Sequence, residues 1–119
     1  MARILIVDDD PSITNLLATL LEEEGYETVT ANSGQRALEV VRRDPPDAVL
    51  LDLMMPVVSG SVVCQQLKGN EKTRPIPVII VSGDGHADRK TELAGADAFI
   101  TKPFELDTIL DCVRKFCHS

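Results

Sequence analysis

Short apolar runs rich in β-branched residues alternate with longer stretches of helical spacing along all 119 residues of the chain. The short runs are strand candidates, and they lie at 3–7, 27–31, 48–51, 78–81 and 98–100. Strands that are separated by helix-length segments are typical of a parallel sheet with crossover helices. The alternation therefore predicts an α/β fold in one domain over residues 1–119, with the second strand, which is only half apolar, at a sheet edge.

Five helices are expected, and the first has the clearest boundaries. Asp10 is a suitable N-cap, Pro11 a suitable first residue, and Gly25 is placed to end the helix. Apolar residues follow helical spacing within it and predict one buried stripe: Ile13, Leu16, Leu17, Leu20 and Leu21.

The remaining helices are predicted at 34–43, from about Ser59-Gly60, at 87–94 with a thin apolar face, and near the C-terminus. The last helix has apolar residues at core spacing: Leu106, Ile109, Leu110, Val113 and Cys117. Cys64 shares a helix face with Val63 and Leu67, which predicts a core residue. The three cysteines form no C-x-x-C pair, which favours reduced thiols and a cytoplasmic protein.

The composition excludes several classes of function. A net charge of −7 disfavours direct binding to the phosphates of nucleic acid. No apolar run approaches the roughly 20 residues that a membrane span needs, and acids follow the first apolar run where a signal peptide would have its cleavage region. One Tyr, three Phe and no Trp leave Leu, Ile, Val and Ala to build the interior.

Polar side chains follow four of the predicted strands where each strand ends. Asp8 and Asp9 follow the first, Asp52 the third, Ser82 the fourth and Lys102 the fifth. In doubly wound sheets the functional crevice lies beyond the carboxyl ends of the strands, so we expect function in these four loops. Asp52 also interrupts an apolar run, where an ionised group is costly unless it is paired.

Three carboxylates that approach within a few ångströms repel one another unless a cation lies among them or some of them are protonated. Oxygen ligands without Cys or His favour Mg²⁺ or Mn²⁺ over zinc. Because Mg²⁺ keeps waters and readily takes a phosphate oxygen as a further ligand, the cluster predicts phosphate chemistry.

Four segments together resemble the motifs of response-regulator receiver domains of two-component systems, in order and in spacing. They are ILIVDDDP, LLDLMMP with Gly60 eight residues after Asp52, PIPVIIVS and GADAFITKPF. The resemblance covers essentially the whole chain. It implies a flavodoxin-like, doubly wound, five-stranded parallel sheet of order 2-1-3-4-5 with five helices.

The resemblance also assigns roles around the acidic cluster. Asp52 is the expected phosphoacceptor, and Asp9 is the expected direct ligand of Mg²⁺. Asp8 is expected to act on the ion mainly through water, and Met54 to supply a backbone carbonyl. Asp10 is assigned to helix capping. An apolar Met54 offers no side chain to orient water, so we expect slow self-dephosphorylation.

The phosphoryl oxygens are expected to contact Ser82 and Lys102, and the Lys102-Pro103 bond resembles the cis peptide of the family. In the implied switch, Ser82 moves toward the phosphoryl group and Phe99 turns inward, although Phe99 lacks the hydroxyl of tyrosine. The output surface is expected on the face of helix 4, strand 5 and helix 5. Val57 and Val58, after Met55-Pro56, depart from the small or acidic turn of most relatives; we expect both to be exposed, as a loop variant or a partner contact.

The resemblance implies a regulatory phosphoacceptor rather than an enzyme. Its partners would be a histidine kinase or histidine phosphotransfer protein and a downstream effector, with a homodimer through the output face also allowed. A pseudo-receiver that binds partners without phosphorylation is the main alternative. A flavin carrier is disfavoured because no phosphate-cradling loop follows the first strand, and an aspartyl phosphatase is disfavoured because Met54 stands where its second Asp should be.

Overall fold

Five parallel strands form the centre of the fold in the computed structural model, which describes residues 1–83 and 95–117. The strands are β1 (Arg3–Val7), β2 (Glu27–Ala31), β3 (Ala48–Leu51), β4 (Val78–Ser82) and β5 (Ala98–Thr101). Their order is β2-β1-β3-β4-β5, as the resemblance implies, with β2 at an edge. The prediction of a doubly wound parallel sheet is therefore confirmed, and β4 and β5 each extend one residue beyond the predicted ends.

Four helices lie within the described ranges: α1 (Pro11–Glu23), α2 (Gly34–Arg43), α3 (Gly60–Gly69) and α4 (Leu106–Phe116). They correspond to the first, second, third and fifth predicted helices. The predicted helix over 87–94 lies outside the described residues. Within residues 1–83 and 95–117, no helix has both the length and the apolar composition that crossing a membrane would require.

The strands bury both faces of the sheet because successive side chains point to opposite sides. Leu5 and Val7 of β1 lie on the face covered by α2 and α3. Ile4 and Ile6 lie on the face covered by α1 and α4. Each face has its own apolar core of mainly Leu, Ile, Val and Ala, as the composition predicts.

The ends of α1 follow the predicted capping pattern. The carboxylate of Asp10 accepts a hydrogen bond from the Ser12 amide at 3.0 Å, and Pro11 is the first helical residue. Gly25 has a φ of 93°, in the left-handed region that ends helices without the steric cost of a side chain. These local signals are sufficient because they act between residues that are close in sequence.

The apolar stripe predicted for α1 is partly wrong. Leu17 and Leu21 are buried, but Leu16 is 44% exposed, and Thr14 takes a buried position instead. The Thr14 hydroxyl donates to the Pro11 carbonyl at 3.1 Å, so its burial leaves no polar group without a partner. The sheet therefore contacts a face centred on 14, 17 and 21.

Leu106 is also an exception to the prediction, because it is 41% exposed at the first position of α4. The other predicted core positions of this helix, Ile109, Leu110, Val113 and Cys117, are buried.

Cys64 is buried as predicted, and burial raises the pKa of its thiol to about 11. Cys64, Cys112 and Cys117 form no disulfide bond with one another.

Candidate functional site

The carboxyl edge of the sheet brings the residues after β1 and β3 side by side. Val7 and Leu51 are register partners, so the residues that follow them, Asp8 and Asp52, are neighbours. The Asp52 amide donates to the Val7 carbonyl at 2.9 Å, and the Asp8 amide donates to the Ala31 carbonyl at 3.2 Å. These bonds fix the main chain from which both carboxylates project.

Asp8, Asp9 and Asp52 form an acidic cluster, in which one carboxylate oxygen from each residue lies within 4.8 Å of the others. Asp8 and Asp52 are only 4% and 5% exposed, whereas Asp9 is exposed. Three oxygen donors at this spacing, with one open side, fit a hard divalent cation such as Mg²⁺. The structure therefore brings together the three acids that the sequence singled out.

Asp10 does not belong to this cluster. Its side chain accepts hydrogen bonds from the amide and the hydroxyl of Ser12, and these bonds lower the pKa of Asp10. Its amide donates to Asp8 Oδ1 at 2.9 Å, which orients the Asp8 carboxylate. The assignment of Asp10 to helix capping is confirmed.

Lys102 reaches the cluster from the end of β5. Its amide donates to the Ser82 carbonyl at 3.0 Å, and the predicted cis peptide before Pro103 is present. The Lys102 Nζ lies 2.7 Å from Asp8 Oδ2 and 3.7 Å from Asp52 Oδ1. In the described part of the chain, this ammonium group is the only one that reaches the acidic cluster.

The charges at the site alter the pKa values of two groups. Burial raises the pKa of Asp52, and the charges of Asp8 and Asp9 raise it further against the opposing effects of Lys102 and the Met54 amide. Burial acts to lower the pKa of Lys102, but the hydrogen bond to Asp8 and the three carboxylate charges outweigh it and raise that pKa. The pKa of Asp52 therefore moves in the direction that disfavours its ionised form, chiefly because the carboxylate is buried.

Ser82 and Phe99 lie on the adjacent strands β4 and β5. Ser82 ends β4 and is fully buried, in register with Thr101 of β5. Phe99 pairs with Ile80 and is partly buried against the core on the α2 and α3 face. The roles of Ser82 and Phe99 in the switch stay predictions.

Two motif positions, Met54 in the loop after β3 and Gly60 at the start of α3, lie close to Asp52. Met54 is 60% exposed, and its amide donates to Asp52 Oδ1 at 3.3 Å. Gly60 lies so close to the Asp52 carbonyl that a Cβ there would collide with it. The motif spacing between Asp52 and Gly60 thus reflects a close approach of the main chain.

The prediction that Val57 and Val58 are both exposed is half wrong. Val57 is fully exposed, but Val58 is partly buried and packs against the core beside Gly34. A Cβ at Gly34 would lie 2.7 Å from the Val58 carbonyl oxygen, so this contact depends on the glycine. The sequence could not show it because residues 34 and 58 meet only in the folded chain.

An open polar cleft of about 430 Å³ beside Asp9 was missed by the sequence reasoning. Its lining includes Thr30, Asn32 and Arg36, which belong to the end of β2, the following loop and α2. The sequence prediction places function in the loops after β1, β3, β4 and β5 and omits the loop after β2. The polar pair Asn32-Ser33 after β2 was the available signal.

Comparison with known proteins agrees with this geometry. Residues 4–114 match the family described as response regulator receiver domain. The chain is 40% identical over 116 residues to the DNA-binding dual master transcriptional regulator RpaA of Synechocystis, covering 96% of this chain and 48% of RpaA. The chain therefore spans about half the length of that relative.

Two solved structures are similar over nearly the whole chain. A putative response regulator from Chloroflexus aurantiacus has a TM-score of 0.92 at 31% identity, covering 97% of this chain and 96% of that one. The response regulator TrrA from Thermotoga maritima, solved in complex with Mg²⁺ and BeF, has a TM-score of 0.88 at 36% identity, covering 98% of this chain and 100% of that one. Fold, acidic cluster and sequence similarity agree, and the chain belongs to the response regulator receiver domain family of two-component systems.

Proposed function

We propose that the chain, as one receiver domain over residues 1–119, accepts a phosphoryl group on Asp52 in a two-component phosphorelay. The donor is a phosphohistidine of a histidine kinase or histidine phosphotransfer protein, and the chain is a regulatory phosphoacceptor that promotes its own phosphorylation. The observation that carries the proposal is the placement of Asp52. Its buried carboxylate shares a cluster with Asp8 and Asp9 and lies 3.7 Å from the Lys102 ammonium.

The acidic cluster is the proposed Mg²⁺ site, with Mn²⁺ as a substitute. Asp9 would bind the ion directly, Asp8 mainly through water, and Asp52 and the Met54 carbonyl would complete the protein ligands. Bound Mg²⁺ supplies positive charge next to the phosphoryl oxygens. Asp8 would also hold Lys102, since these two side chains form an ion pair at 2.7 Å.

The transfer itself requires an in-line nucleophile and compensation of the charge on three phosphoryl oxygens. A carboxylate oxygen of Asp52 attacks phosphorus, the bond between phosphorus and the imidazole nitrogen breaks, and an acyl phosphate forms while the imidazole takes up a proton. Lys102 and Ser82 contact phosphoryl oxygens and stabilise the charge that develops there. Met54 presents no polar side chain to orient water, so the acyl phosphate is hydrolysed slowly.

The signal would arise from the new charge on Asp52. Ser82 is drawn toward the phosphoryl group, and Phe99, on the neighbouring strand, turns toward the space that this movement opens. The face of helix 4, strand 5 and helix 5 in the family's numbering would then bind a downstream effector or a second copy of the chain. In this structure β5 and α4 supply the described part of that face.

The chain itself is proposed to act in the cytoplasm without binding nucleic acid or membrane. RpaA is described as DNA-binding, but this chain matches about half of that protein. A net charge of −7 opposes attraction to nucleic-acid phosphates. Regulation through protein contacts agrees better with this charge.

Intact mass spectrometry tests the proposal. The wild-type chain, incubated with acetyl phosphate and Mg²⁺, should gain an adduct of about 80 Da, the mass of one phosphoryl group. Asp52→Ala and removal of Mg²⁺ by a chelator should each abolish the adduct. Asp111→Ala is the matched control, because Asp111 is an exposed acid of α4, and this variant should keep the adduct. A folded wild-type chain that gains no adduct would support the pseudo-receiver alternative instead.

A further inference from the structure

The loop after β3 and the helix α3 present a surface without charged side chains. Residues 53–67 contain no Asp, Glu, Lys, Arg or His and form the longest such run in a chain of net charge −7. We call the exposed part of this run the neutral face; it includes Met54, Val57, Val62 and Gln65. Depletion of charged side chains distinguishes the centre of a protein interface from the rest of a protein surface.

Val57 projects from the neutral face in a fixed orientation. Its side chain is 102% exposed, and its φ of 67° is the only positive φ among the non-glycine residues in the described ranges. The Val58 amide donates to the Pro56 carbonyl at 2.8 Å across Val57, which with the positive φ describes a γ-turn of the rare, strained kind. Strain of this type persists only where the surrounding structure holds it, and Val58 supplies that support by packing against the core beside Gly34.

An apolar recess of about 190 Å³ lies beside this projecting side chain. It is formed where the start of α2 meets the loop after β3, and none of its lining residues is charged: Ser33, Gly34, Gln35, Pro56, Val57 and Val58. A cavity of about 150 Å³ can hold a molecule of the size of benzene, so the recess has room for a valine side chain. One surface therefore has an apolar projection and an apolar recess next to each other.

A surface with these features is complementary to its own copy. In a twofold-symmetric dimer the same patch meets itself, so a residue near the axis contacts the same residue of the other copy. A charged residue near the axis would face a like charge, and two chains of net charge −7 already repel one another. An uncharged surface adds no such repulsion, and reciprocal insertion of each projection into the opposite recess buries apolar area twice.

We propose that two copies of the chain pair through the neutral face, with Val57 of each copy in the recess of the other. A partner protein of opposite charge would be recognised through charged groups, which this surface lacks. The recess lies beyond the ends of β2 and β3, whereas β5 forms the edge of the sheet opposite to β2. This pairing therefore differs from a homodimer through the output face and leaves β5 and α4 free to bind an effector. It requires neither Mg²⁺ nor phosphorylation.

Charge substitutions at Val57 test whether this residue meets its own copy. Val57→Asp and Val57→Lys each place like charges on both sides of the twofold axis, so each variant alone should be monomeric in sedimentation velocity. An equal mixture of the two variants should pair again, because opposite charges then meet across the axis. Recovery of the dimer in the mixture excludes unfolding as the cause of its loss in each variant alone.

Uncharged substitutions measure how much the apolar contact contributes. The wild-type chain should form a weak dimer, as small interfaces do, which sedimentation velocity from about 1 µM to about 1 mM would detect. Val57→Asn tolerates the positive φ but removes the apolar surface, and it should raise the dissociation constant about a hundredfold, roughly tenfold for each of two lost contacts. Val57→Ile should stay within about threefold of wild type.

Leu106→Asn is the matched control. Leu106 is an exposed apolar residue of α4 outside the neutral face, so this variant should pair like wild type. Added NaCl should leave the dimer intact or strengthen it, because no ion pair holds the two copies together and salt screens the repulsion between their net charges.

Other outcomes overturn the proposal. A wild-type chain that stays monomeric at about 1 mM excludes the pairing. A dimer that Leu106→Asn abolishes and Val57→Asn leaves intact belongs to the output face. Failure of the Asp and Lys variants to pair in the mixture excludes a twofold contact at Val57. A monomeric wild type whose phosphorylation by a histidine phosphotransfer protein is slowed by Val57→Asn assigns the surface to that protein. Phosphorylation of Asp52 is measured separately by the mass adduct, so none of these results decides the proposed function.

Discussion

The two ends of the parallel sheet use charged residues in opposite ways. At the amino end, Arg3, Lys68 and Asp97 each have partners of opposite charge, and Asp97 also accepts a backbone hydrogen bond. The Lys68 ammonium lies 2.7 Å from Asp97 and also donates to the carbonyls of Arg74 and Ile76. Asp97 in turn accepts from the Val78 amide at 2.8 Å, so this group of charges ties α3, β4 and β5 together.

At the carboxyl end, three acids share a single described ammonium group. Asp8 and Asp52 are buried in the cluster, and Lys102 lies 2.7 Å from the first and 3.7 Å from the second. Burial, together with the charges of Asp8 and Asp9, raises the pKa of Asp52, so the ionised form of this carboxyl is disfavoured in the folded chain. The two ends therefore differ in how many acids share one cation, and the proposed Mg²⁺ site lies at the end where three acids share one.

The largest change in the free energy of unfolding is expected at the carboxyl end of the sheet, where Gly60 packs closely against the main chain of Asp52. Gly60→Ala would place a methyl group against the Asp52 carbonyl, and the collision should lower the free energy of unfolding by about 3 kcal/mol, as for severe overpacking. The shift of Asp52 should also slow phosphorylation by acetyl phosphate. Urea unfolding and intact mass spectrometry measure the two effects.

Gly69→Ala is the matched control for this substitution. It lies at the end of the same helix, has no atom within 4 Å of the added methyl group, and should gain about 0.5 kcal/mol. Equal stabilities of the two alanine variants would show that the close approach at Gly60 is not a constraint on the site.

In Mg²⁺-free buffer, replacing an Asp by Asn should change the free energy of unfolding in opposite directions at the two ends of the sheet. Asp97→Asn removes the charge partner of Lys68 and should lower the free energy of unfolding by about 1–2 kcal/mol, a value reduced from that of fully buried pairs because Asp97 is partly exposed. Asp52→Asn relieves repulsion among the three acids and should raise it by about 0.5–2 kcal/mol.

Added Mg²⁺ should stabilise the chain in a way that depends on the carboxyl end of the sheet and not on the amino end. A concentration ten times the dissociation constant should stabilise the wild-type chain by about 1.4 kcal/mol, because the ion binds the folded state. Asp97→Asn should keep this gain and Asp52→Asn should lose most of it, as thermal unfolding with and without Mg²⁺ would measure. A loss of stability for Asp52→Asn without the ion would mean that Lys102 already balances the cluster.

Much of the fold was accessible from the sequence because its signals are local. Asp10, Pro11 and Gly25 fix the ends of α1 through contacts within a few residues, and the apolar runs mark all five strands. The acids of the candidate site could be placed together because parallel strands end at one edge. The strand order required the family resemblance, since several orders satisfy the same alternation.

The errors concern contacts between distant segments. Thr14 is buried in place of Leu16 because of the rotation of α1 about its axis against the sheet. Helical spacing alone does not determine this rotation. The partial burial of Val58 involves its contact with Gly34, which is 24 residues earlier in the chain. Neither propensity nor spacing predicts such contacts, because the partners are far apart in the chain.

The smallest change in the free energy of unfolding is expected when an exposed charge at the amino end of the sheet is removed. Glu27 lies 3.7 Å from the Arg3 guanidinium and is about half exposed, while Arg3 also has an ion pair with Asp44 and donates its amide to Asp47 at 2.7 Å. Glu27→Gln should therefore change the free energy of unfolding by less than about 0.5 kcal/mol, and 1 M salt should remove even this difference. Urea unfolding at low and high salt measures it. A loss as large as that of Asp97→Asn would mean that the amino end works as one coupled network, in which the exposed pairs contribute as much as the partly buried pair of Lys68 and Asp97.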